Sequence, residues 1–241
     1  MGLEASHDIH ALYPTATLPH ATLPPEKRLS WLPDMLHNFG IGGGEGAWLP
    51  SLDRDKGWDD PANFPIKERN IKREVRAMSG YYDFLCCPLD PSLPVAMQSH
   101  LTNYVGLTGL GEEAARLPLA DPRVGFFGYD RKIRRRDITD GLSTSATISE
   151  TGQNNGCWFK GGSPTARGLV ADGSPYLGVG GQFGSRHRYS TSVFTLQPTN
   201  VSHFAFADGS VRVITEGISS PILEALFTIR GGEEVSLIGE E

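Results

Sequence analysis

Short stretches of this chain carry a clear spacing of apolar positions, and long tracts between them carry none. In residues 29–39, Leu29, Leu32, Leu36 and Phe39 recur at helical spacing. Ser30 stands where a cap belongs, Pro33 fits the first turn, and Gly40 ends the run, so a short amphipathic helix is predicted. Residues 81–91, 99–109, 124–129 and 144–151 read as strands, the first stopped by Pro88 and the last entered through the turn at 139–143. The clearest signal lies further on. Phe204 and Phe206 alternate with Ala205 and Ala207, Asp208-Gly209 supplies a favoured hairpin turn, and Val211 and Val213 resume the alternation. A second short helix is predicted over about 220–229, with Leu223, Leu226 and Phe227 on one face and Gly231 as its stop. Mixed charges over 64–79, with Asn63 before them, predict a surface helix.

Between these elements the chain is irregular. Residues 1–30 are rich in Pro, His and Thr and read as an extended lead-in. Residues 40–46 form a glycine-rich turn, and 152–185 are dominated by Gly, Ser and Pro with little periodicity. The expected class is α+β, a mainly antiparallel sheet with a few short helices and long Gly/Pro-rich loops. The expected division is an extended segment 1–28, one head domain 29–236, and a tail 237–241. Composition agrees. Among 241 residues there are 29 Gly and 17 Pro, which interrupt helices and supply turns, while 39% hydrophobic content allows a real core.

Charge narrows the partners. A formal net charge of -6 lacks the basic footprint of a nucleic-acid-binding chain. The basic run Arg131, Lys132, Arg134, Arg135 and Arg136 is flanked by Asp130 and Asp137 and reads as a solvated edge or loop. No apolar stretch approaches the roughly 20 residues that span a bilayer, so no membrane insertion is expected. Cys86, Cys87 and Cys157 show no zinc-ligand spacing, and a disulfide from Cys157 to either of the pair would leave one thiol over.

Catalytic constellations do not emerge. The spacing GxSxG is missing, as is HExxH, and the glycine-rich runs at 40–46 and 178–188 lack the context of a phosphate loop. His7 and His10 are the one close histidine pair in sequence, in the loose lead-in. His203 begins a hairpin strand and is assigned a backbone hydrogen bond; His187 lies in GSRHRYS. Asp53, Asp55 and Asp59 alternate as oxygen ligands for calcium would, although Lys56 and Phe64 break the EF-hand pattern. Calcium is the one cofactor that the sequence leaves open. Trp31, Trp58 and Trp158 read as core or rim aromatics.

Six segments in fixed order resemble the prepilin-type processing-associated H-X9-DG domain family, a planctomycete-rich family of unknown function. LSWLPDML carries Trp31; DRDKGWDDPANF carries Trp58, Asp59 and Asn63; FLCCPLDP carries Cys87 and Asp90; LTNYVGLTG carries Asn103 and Tyr104; ITDGLSTSATISE carries Asp140 and Gly141; and HFAFADGSVRVIT carries Asp208 and Gly209. The signature histidine departs from the pattern. If it is His187, twenty residues rather than nine separate it from Asp208. Members of that family begin with a pilin-like leader and a long hydrophobic helix that this sequence does not show, so the resemblance implies a head domain without its stem. It implies an extracytoplasmic, non-enzymatic structural or interaction module of the pseudopilin kind, partnered by other protein subunits or cell-surface components and able to oligomerise. Two alternatives are a calcium- or glycan-binding surface module, and a secreted hydrolase using His187 with an acid such as Asp208.

Overall fold

The computed structural model describes residues 11–38, 52–63, 83–87, 101–189 and 199–233. Its centre is a six-stranded mixed sheet: β1 (Tyr104–Leu110), β2 (Ala146–Glu150), β3 (Ala166–Leu169), β4 (His187–Tyr189), β5 (Thr199–Phe206) and β6 (Val211–Thr215). The order β3-β1-β2-β5-β4 has β6 on the far side of β5. Only β1 and β3 run parallel; the other pairs are antiparallel. Among the described residues two α-helices accompany it, α1 (Leu32–Asn38) and α2 (Ser220–Phe227). The α+β class with a mainly antiparallel sheet is therefore as the sequence predicts.

The sheet has two unlike faces because side chains alternate along each strand. One face is closed. Val105, Leu107, Phe204, Phe206 and Ile214 point into a core completed by Leu223, Leu226 and Phe227 of α2. The Phe183 ring packs edge-on against Phe227 at 4.7 Å. The opposite face is covered only in part. Over β1 and β3 lies an aromatic core of Trp31, Phe126, Phe127, Trp158 and Phe159. Gly106 of β1 admits it, since a Cβ there would stand 2.7 Å from the Phe127 ring. The extended segment before residue 29 packs here too, burying Tyr13, Ala16 and Leu18. Among the described residues, this face is open over β2, β4 and β5 around Ile148, His187, His203 and Ala205.

Local chemistry explains both agreements and departures. Ser30 accepts the Leu32 N–H on its hydroxyl at 3.2 Å, as its capping position predicts. The hairpin turns at Gly209, whose φ of 84° is in the left-handed region. Of the predicted strand at 81–91, the described residues 83–87 hold a 3-10 turn, Asp83–Leu85, and the Cys87 N–H goes to a side chain, Asn103 Oδ1, at 2.7 Å; the rest of that stretch lies outside the described residues. The predicted strand at 124–129 is not regular either. Gly109, at φ 116°, kinks β1, and Gly125 and Phe127 donate to Thr108 and Leu107 in broken register. The irregular tract 152–185 contains an unpredicted strand, β3. Helix α2 ends at Thr228, because the Gly231 N–H is held by Asp140 Oδ2 at 2.7 Å. The helix predicted over 64–79 lies outside the described residues.

The basic run also departs from expectation. Lys132, Arg134, Arg135 and Arg136 are exposed, with Arg135–Asp137 in a 3-10 turn. Arg131 instead folds inward. It donates to the carbonyls of Leu117 (2.7 Å), Phe127 (2.7 Å), Gly125 (3.0 Å) and Ala114 (3.2 Å). Burial brings its pKa down to about 10, still charged at neutral pH. It is a structural hub rather than a solvated edge.

Candidate functional site

The site arises where strand β5 changes neighbours. Along one edge β5 pairs first with β4, through Val201, and then with β2, through Phe204. Glu150 is the last residue of β2, His187 the first of β4, and His203 sits on β5 between the two pairings. Its backbone N–H faces the gap between two strands and finds no ladder carbonyl. Glu150 Oε2 accepts it at 3.2 Å, and the same oxygen meets the His203 ring Nδ1 at 2.7 Å. The other carboxylate oxygen, Oε1, stands 3.3 Å from His187 Nε2.

The two imidazoles meet edge to face, with centroids 5.2 Å apart. Glu150 is buried and the histidines are half-buried, so the carboxylate forms the floor and the rings the wall. They border an open cleft of about 370 Å³, whose other margins include Tyr104, Ile148 and Val211. Burial raises the Tyr104 hydroxyl above its ordinary pKa, with the Glu150 carboxylate adding to the effect.

A second layer fixes the wall. Ser185 donates its hydroxyl to Val201 O at 2.6 Å and accepts the His187 N–H at 3.2 Å, which sets the start of β4. Asn103 receives the Cys87 N–H and donates to Thr151 O at 2.9 Å, tying the 83–87 turn to the end of β2. Cys87 Sγ therefore lies 3.5 Å from His187 Nε2. The sequence singled out His187, Cys87, Asn103 and Tyr104 separately, and the fold gathers all four here.

His187 and His203, sixteen apart in sequence number, adjoin in space. Two expectations are corrected. His203 does not serve a backbone group with its ring; it serves Glu150. His187 is not paired with Asp208, whose carboxylate accepts the Ser210 N–H (2.9 Å) and hydroxyl (2.6 Å) inside the hairpin turn. Glu150 was not singled out in sequence, because only strand register places it opposite His203.

The remaining signature residues stabilise loops. Asn63 accepts the Asp53 N–H at 2.7 Å and donates to the carbonyls of Asp53 (2.8 Å) and Gly57 (3.0 Å), closing the 53–63 loop. Within that loop Asp53 Oδ1 accepts the Asp55 N–H at 3.1 Å, and Asp59 pairs with Lys27. Trp58 is half-buried, donates to Glu26 O at 2.9 Å and lies beneath Lys160 Nζ at 4.9 Å. Trp31 donates to Thr165 O at 2.7 Å within the core. Asp140 holds both Gly231 and Gly232, while Gly141 turns at φ 105°. Cys157 forms no disulfide, and burial pushes its thiol up to about 12. Asp90 lies outside the described residues, as do His7 and His10.

Strand, helix and cleft together define an α+β protein built on one mixed sheet with a half-open face. Residues 7–220 match the family described as "Protein of unknown function (DUF1559)", and the chain belongs to that family. No curated protein and no solved structure matches the chain. Among the described residues, no helix is long and apolar enough to cross a membrane.

Proposed function

We propose that this protein is a non-enzymatic, extracytoplasmic interaction module, the head of a pilin- or pseudopilin-like protein, which engages other protein subunits through the open half of its sheet. The observation that carries the reading is on β6. Val211 and Val213 are 65% and 49% exposed, on the same face as Ala205 and His203, with Val211 at the rim of the cleft. Two large apolar side chains held outward on an edge strand cost solvation unless another surface covers them. The edge itself supports the same reading. Among the described residues β6 pairs only with β5, which leaves its outer backbone groups available for strand addition. The pilin-like assignment rests on the ordered motifs of the sequence, and family membership supplies no reaction.

Site-specific photo-crosslinking in native cells tests this. A photoreactive residue at position 213 is expected to give discrete protein adducts that the same residue at exposed position 112 does not. Equal labelling at both positions, or turnover in a hydrolase panel that His203→Ala abolishes, would overturn the proposal.

A further inference from the structure

We infer that Glu150, His187 and His203 form a binding site for one divalent transition-metal ion of the zinc class. Glu150 Oε, His187 Nε2 and His203 Nδ1 lie within 4.8 Å of one another. Two imidazoles and one carboxylate are the donors that borderline first-row ions select, whereas calcium and magnesium select oxygen alone. Zinc holds such ligands at about 2.0–2.2 Å, which sets neighbouring donors roughly 3.4 Å apart in a tetrahedron. The Glu150–His187 spacing of 3.3 Å already has that value.

The donors come from three strands, so their positions are fixed by the sheet ladder rather than by a loop. Behind the imidazole, Ser185 accepts the His187 backbone N–H and fixes the start of β4, and Glu150 is buried at the end of β2. Without metal, Glu150 bridges the two rings. With metal, each imidazole keeps its proton on the outer nitrogen and turns a lone pair inward, so the bridge opens and the cation takes its place. Three protein ligands leave a fourth position, which water from the cleft or the Cys87 thiol, already 3.5 Å from His187 Nε2, completes. The site is independent of the Asp53, Asp55 and Asp59 loop, and it requires no protein partner.

Calorimetry on tag-free, chelator-stripped protein tests the inference with zinc chloride and, in parallel, calcium chloride. One zinc per chain and no heat from calcium are expected. His187→Ala and His203→Ala should each weaken zinc binding about 100-fold or more, since even outer-shell changes cost 10- to 100-fold. Glu150→Gln, which keeps the side-chain shape, should weaken it at least about tenfold if the histidine variants fold poorly. His7→Ala/His10→Ala, removing the other histidine pair, should leave affinity unchanged. Zinc binding that survives Glu150→Gln and both histidine substitutions, binding lost with His7 and His10, or an equal calcium response would overturn the site.

Discussion

Glu150 and His203 are joined twice, through the ring Nδ1 at 2.7 Å and the backbone N–H at 3.2 Å, both to the same carboxylate oxygen. The second contact satisfies a backbone donor that the change of strand partner leaves without a ladder carbonyl. Glu150 thus belongs to the fold as well as to the cleft. Glu150→Ala should destabilise the protein by about 1–3 kcal/mol, the cost of leaving a buried donor unpaired. Urea denaturation at neutral pH measures it, and an unchanged midpoint would contradict the double role.

Arg131 carries a larger share of stability than its place in a basic run implies. Arg131→Ala removes a donor shared by four carbonyls and should cost about 2–4 kcal/mol. Arg131→Lys should recover only part of this, because an ammonium cannot reproduce the planar fork. By contrast, Arg136→Ala, on the exposed side of the same run, should shift stability by less than about 0.5 kcal/mol. Paired denaturation curves for the three variants decide the point.

At the hairpin turn, Gly209→Val should cost about 1–3 kcal/mol, since a β-branched residue is strained at φ 84°. Thermal melts provide the measurement. A midpoint equal to the parent protein would mean that the turn has another conformation.

The Lys27 hydrogen bond lowers the Asp59 pKa below the ordinary carboxylate value, against an opposing effect of burial. A depressed folded-state pKa stabilises the fold above the unfolded value near 4, and that contribution disappears as pH falls through the folded value. Asp59→Asn should therefore reduce stability at pH 7 and have no effect at about pH 2. Both groups are largely exposed, so solvent screening limits the difference to about 0.2–1 kcal/mol. Denaturation of the two proteins across this pH range gives the comparison.

Much of this fold is legible in the sequence where one periodicity dominates. The alternation around Phe204 and Phe206, with Asp208-Gly209 after it, gives the hairpin and also its buried face. Leu223, Leu226 and Phe227 give α2. The sequence misleads where tertiary contacts replace the ladder. The 81–91 stretch is apolar enough for a strand, yet its described part, 83–87, turns, and Asn103 takes the Cys87 N–H. β3 is only four residues, ARGL, and its Arg167 is polar but folds inward against Thr151, Gln153 and Gln182, so no alternation announces it. The site is legible only in pieces. His187 and Cys87 stand out by motif, but their meeting depends on Asn103, and the roles of Glu150 and His203 depend on a register that no local pattern encodes.

Glu150, His187 and His203 act as one site on the open face of the sheet. Anomalous diffraction at the zinc edge, from crystals of the protein grown with zinc, locates that site directly. A single strong peak in coordination distance of all three side chains is predicted. A peak at the Asp53–Asp59 loop with none beside His203, or a cleft whose carboxylate and imidazoles face apart, would contradict it.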